Sequence, residues 1–112
     1  MDNKKDNQYY VEKIVTDLAF IVKNTSALTQ AELAQNEILL DCVMFRLIQI
    51  SENADKLAED FKLVHSHIPW RAIKGLRNRI VHEYGSVDLS VVYDTVKDDI
   101  PQLLEELSII FG

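Results

Sequence analysis

An all-α fold, an antiparallel bundle of four to five helices with a kinked last helix, is predicted for this chain by three observations. Apolar residues recur at i, i+3, i+4 and i+7 in several long stretches, as the buried stripe of a helix requires. No segment alternates with the period of a strand. Only three glycines and two prolines interrupt 112 residues, nearly half of them apolar, a composition that supports a packed core rather than disorder. At this length the chain is expected to be one domain, residues 1–112, with 1–7 as a disordered N-terminal tail.

Taken in order, the first helix is expected from about Tyr9 to Ser26, burying Val11, Ile14, Val15, Leu18, Ile21 and Val22 and leaving Phe20 on the opposite side, where a second chain would meet it. Thr29-Gln-Ala-Glu32 has the form of a capping box, in which hydroxyl and carboxylate satisfy free backbone amides. It starts a short helix that either stands alone or merges with a long one from about Asn36 to Phe61. One stripe of that helix is ordinary core (Leu40, Val43, Leu47, Ile50, Ala54, Leu57, Phe61). A second stripe on the other side (Ile38, Leu39, Cys42, Phe45) turns polar at Gln49 and Glu52, and a helix apolar on two sides is either central or buried in an oligomer. Lys62 to Pro69 reads as a connector. Its His65-x-His67 pair lacks a carboxylate or cysteine at ligand spacing and is taken as loop chemistry rather than a metal site. Pro69 suits the first turn of the next helix. After Gly85, Asp88 is placed as the N-cap of a last helix that buries Leu89, Val92, Val96, Leu103, Leu104 and Leu107, and Pro101 should kink or split it near Ile100.

Composition narrows the function classes. The net charge is −6 and the pI is near 4.9, which argues against a surface that coats nucleic acid. The single cysteine, Cys42, rules out an internal disulfide and a cysteine-based zinc site and fits a reducing compartment. No signal-like or membrane-length apolar run is present, so a cytoplasmic location is expected.

The chemistry gathers in one stretch, Trp70 to Gly85 (W-R-A-I-K-G-L-R-N-R-I-V-H-E-Y-G). On a helical wheel with Trp70 at the origin, Ile73, Leu76, Ile80, Val81 and Tyr84 fall on one broad arc, and Arg77 lies inside it at roughly 340°. A guanidinium stays charged and is rarely buried alone, so Arg77 either pairs with a carboxylate, with Glu52 as the candidate counter-charge, or faces a site for an anion. Asn78 and His82 line the rim of the arc. From His65 to Tyr84 the charge is +3 against −9 for the remainder, a local positive island that suits a specific anionic ligand. Arginine holds phosphate bidentately and histidine moves protons near neutrality, a pair sufficient in kind for RNA cleavage without a metal or cofactor. Arg77 and His82 lie roughly 140° apart on one helix, so a composite site across a symmetric dimer aims them better than one chain.

The run R77-N-R-I-V-H82-E-Y84, of the form R-x4-H-x-Y with Asn after the arginine, resembles the signature of HEPN-domain proteins of the HepT type, the DUF86 group. The preceding I-P-W and the following V-D-L-S-V-V-Y-D and I-P-Q-L-L-E-E-L segments are similar too, and the resemblance spans about residues 8 to 110. It implies an all-helical homodimer whose R-x4-H motifs meet at a cleft and act as a metal-independent ribonuclease toxin on RNA such as tRNA or mRNA. By position, Arg77 and His82 would be catalytic, Asn78 supporting, and Tyr84 the residue to which an MntA-type nucleotidyltransferase antitoxin transfers AMP. Two other readings carry different expectations: a non-catalytic HEPN module that binds such a nucleotidyltransferase, and a structural dimer in which Arg77 pairs with Glu52 and the cleft is closed.

Overall fold

The structure, a computed structural model, describes residues 6–80 and 87–111. Its described residues form a helical bundle built from four longer rods and two short helices, as the periodicity predicted. The first rod, α1 (Asn7–Thr25), begins where the Asp6 carboxylate accepts from the Tyr9 amide at 3.0 Å. Asp6 and Asn7 were expected in a disordered tail; they are instead the cap and first residue of this helix. Val11, Ile14, Leu18 and Ile21 are buried, and Val15 and Val22 pack against them half-buried.

The capping box forms as read. The Thr29 hydroxyl accepts from the Glu32 amide and the Glu32 carboxylate from the Thr29 amide, at 3.1 and 2.9 Å, and they start α2 (Gln30–Gln35). This helix does not merge with the next. Asn36 leaves helical geometry (φ −102°, ψ 83°), and its side-chain oxygen accepts from the Leu39 amide to start α3 (Glu37–Asp55) afresh.

The expected continuation of α3 to Phe61 also fails. The chain turns at Lys56, sinks Leu57 into the core and resumes as α4 (Glu59–Val64), so part of the anticipated connector is helical. The turn is held by a contact no local pattern announces: the Ala58 amide donates to Asn7 Oδ1, 51 positions back, at 3.0 Å. Phe61 then stacks on Phe111 and lies beside Trp70 and His65. His65 and His67 sit in the loop after α4. Among the described residues, no group of three or more His, Cys, Asp or Glu gathers with metal-holding geometry.

Pro69 stands one position earlier than anticipated, at the N-cap of α5 (Trp70–Lys74), which a tight turn at Gly75 joins to α6 (Leu76–Ile80). The Ser51 hydroxyl donates to the Lys74 carbonyl at 2.8 Å and ties α3 to this rod.

Asp88 caps α7 (Leu89–Asp94) by accepting from the Val91 amide. The helix then widens into a π-helical segment, Thr95–Asp99, before α8 (Ile100–Ser108). Pro101 explains this break. It has no N–H for the Lys97 carbonyl, and its ring would strike that carbonyl in a regular helix. The Ile100 amide accordingly reaches back five residues to Thr95. Lys97 and Tyr93 donate to the carbonyls of Ser26 and Leu28, fastening this rod to the α1–α2 connection.

Val43, Leu47 and Ile50 of α3 meet Ile14, Leu18 and Ile21 of α1 and Val92, Val96, Ile100, Leu103 and Leu107 of the last rod in one core. No described helix is long and apolar enough to cross a membrane.

Candidate functional site

The site's described part rests on the α5–α6 rod. Ile73, Leu76 and Ile80 are its buried residues, 1%, 3% and 0% exposed. They define a narrow inward stripe centred on the isoleucines, with Trp70 half-buried at its margin. Arg77 was expected in the middle of the inward face and is exposed instead. The break at Gly75 takes α6 off the wheel of α5: within α6 the buried line runs through Leu76 and Ile80, which places Arg77 on one flank and Arg79 on the other, roughly 160° apart. Asn78 is exposed beside Arg77.

The four cations of the positive island divide by partner. Lys74 lies 3.5 Å from Asp55, with both side chains mostly in solvent. Arg79 donates to the buried Thr95 hydroxyl at 3.3 Å and reaches the Asp99 carboxylate at 3.5 Å. Arg71 and Arg77 form no ion pair with any described residue. Glu52, the candidate counter-charge, is exposed on α3 and not joined to Arg77. The closed arrangement in which that pair fills the cleft is therefore not the one this chain adopts by itself.

His82 and Tyr84 lie outside the described residues. The chain leaves the described part at Ile80 and re-enters at Val87, and the Asp88 amide donates to the Ile80 carbonyl at 3.0 Å. That bond joins two described residues, Ile80 at the end of α6 and Asp88 ahead of α7.

A groove of about 370 Å³ lies between the α5–α6 rod and α8, lined by His67, Ile73, Leu76, Arg79, Gln102 and Glu106 among others. Neither Arg77 nor Asn78 lines it. A different polar cluster lies between α1 and α3: Arg46 pairs with Asp17 at 2.8 Å and lies 4.1 Å over the Phe20 ring. Phe20, expected to meet a second chain, is half-covered within its own. Twenty-nine residues separate Asp17 from Arg46, so no local pattern signals their meeting.

The exposed guanidinium and amide offer a bidentate donor and a hydrogen-bonding neighbour to an anion such as a phosphodiester. Proteins similar to this chain carry ribonuclease names. A family model described as "Ribonuclease HepT-like" matches residues 14–110. A protein of Thermococcus cleftensis named "Probable ribonuclease HepT" is 31% identical over 100 residues, covering 89% of this chain and 91% of that one. A "Putative RNase" of Caldanaerobacter subterraneus is 26% identical over 98 residues, 88% of each chain. A Methanocaldococcus jannaschii protein named "Gamma-glutamylcyclotransferase and putative RNase" is 31% identical over 104 residues, 93% of this chain. The chain spans about half of that last relative, 47% of its length. No solved structure matches. With residues 14–110 matched by the family model, the chain belongs to the HepT-like ribonuclease family.

Proposed function

We propose that this protein cleaves RNA in a cleft shared by two copies of the chain, with Arg77 and His82 as the catalytic residues and Asn78 supporting them. The single observation that carries the reading is the state of Arg77, an exposed arginine with no ionic partner among the described residues, on a chain of the HepT-like family. His82 takes the proton of a ribose 2′-hydroxyl as its oxygen attacks phosphorus. The bond from phosphorus to the 5′-oxygen breaks, and that oxygen takes a proton from the second histidine of the dimer. The products are a 2′,3′-cyclic phosphate and a 5′-hydroxyl end. Arg77 stabilises the charge that builds on the phosphorane oxygens. The exposed apolar residues Ile38 and Phe45 on α3, 80% and 58% exposed, support the pairing of two copies, because a face of this kind on a small domain marks an interaction surface.

In this reading the enzyme is a toxin, and its partner is an MntA-type nucleotidyltransferase that silences it by transferring AMP to Tyr84. Each nucleotide added there places phosphate charge beside a site built for phosphate and blocks it sterically. His82→Ala is the direct test. Loss of a proton-transfer group should lower cleavage by roughly 10²–10⁴-fold, with the dimer intact by light scattering. Full activity in that variant would remove His82 from the mechanism.

A further inference from the structure

We infer that Arg79 is a positioning residue, a strut that sets the roll of α6 and thereby the aim of Arg77; this rests on the ribonuclease reading above. A helix of five residues cannot hold its own orientation, since a single turn is unfavourable by itself in water. Leu76 and Ile80 anchor α6 to the core along one line, which leaves rotation about that line to be fixed by the flanks. On one flank stands Arg77, without an ionic partner among the described residues. On the other, the Arg79 guanidinium reaches Thr95 and Asp99 through the same nitrogen.

The surroundings of Arg79 decide what it does. Asp94, Asp98 and Asp99 share a notch with it beside Thr95, and Asp99 and Glu106 share with it the groove on the α8 side. An RNA phosphate entering there would meet these carboxylates, so Arg79 is not a second phosphate ligand. The notch is a product of the π-helical segment: Thr95 and Asp99 are its first and last residues. Pro101, by forcing that segment, sets the geometry of the receptor for Arg79. The Ile80 carbonyl, one residue further on, accepts from the Asp88 amide, a second contact that holds this end of α6.

The strut is half in solvent, with the Arg79 and Asp99 side chains 43% and 55% exposed, and pairs of that kind add little to global stability. Misaiming a catalytic group by about 1 Å, by contrast, costs on the order of 10²-fold in rate. The expected signature of Arg79→Ala is therefore a kcat lower by roughly 2- to 5-fold, the most that losing an exposed pair can shift the population of correctly aimed α6, with KM for an RNA oligonucleotide and the melting temperature close to wild type. Arg79→Lys should recover part of the loss. Asp99→Asn should lower kcat in the same direction, and combining it with Arg79→Ala should add little further. A melting temperature that falls in step with activity, or a wild-type kcat in Arg79→Ala, overturns the assignment.

A second measurement does not depend on cleavage. The Arg77 side-chain N–H and His82 ring signals, followed by NMR in the free protein, should shift or broaden in Arg79→Ala. Unchanged signals refute the strut even if the wild type cuts no RNA. Signals that shift in Arg79→Ala, with a wild type that cuts nothing, retain the strut and reject the ribonuclease reading.

Discussion

Arg77 and Arg79 stand two residues apart in the same positive island and belong to different chemistry. One is presented to solvent; the other is engaged by Thr95 and Asp99 of the π-helical segment. Composition alone weighs them equally, because the distinction lies in what packs on each flank of α6. Glu52 illustrates the same point in reverse: it has the right charge and lies on a neighbouring helix, yet it does not meet Arg77 within the chain. Tyr84 carries the prediction at this scale. Co-expression with an MntA-type nucleotidyltransferase should raise the intact mass in AMP steps and abolish cleavage, and Tyr84→Phe should show neither change. A mass gain that persists in Tyr84→Phe would place the modification elsewhere.

At the scale of elements, the capping residues were legible and the helix ends were not uniformly so. Thr29 with Glu32 and Asp88 could be read as starts because the cap residue itself forms the hydrogen bond within three positions. Replacing Thr29 with Ala should destabilise the protein by about 0.5–2 kcal/mol, measured by urea unfolding; a loss under a few tenths would show that packing alone holds α2. The end of α3 was illegible because Leu57 continues the apolar period while Asn7, remote in sequence, takes the Ala58 amide. The break in the last helix was legible from Pro101, since a missing N–H is a property of the residue itself. That it takes π form, and so places Thr95 and Asp99 around Arg79, follows only from the packed rod.

At the scale of the molecule, the single chain leaves the apolar face of α3 in solvent, along with Leu63 and Val64 of α4 and Ile109 after α8. Ile38 and Phe45 face solvent while the opposite stripe, Val43, Leu47 and Ile50, is fully buried. In solution the protein should have twice its chain mass of 12.9 kDa, and Ile38→Glu with Phe45→Glu should yield a folded monomer that no longer cleaves RNA. A doubly substituted protein that remains dimeric by light scattering would move the interface to another surface.

The sequence by itself determined the all-helical class, the core stripes of α1 and α3, the caps at Thr29 and Asp88, the interruption at Pro101 and the family motif. Each is written in residue type and short-range spacing, and helix hydrogen bonds act over the same short range. Only the tertiary structure decided that Arg77 is exposed while Arg79 is held, that Asp17 pairs with Arg46, and that α3 stops at Asp55. These depend on which element lies against which flank, and such contacts join residues from 16 to 51 positions apart, beyond the reach of any local pattern.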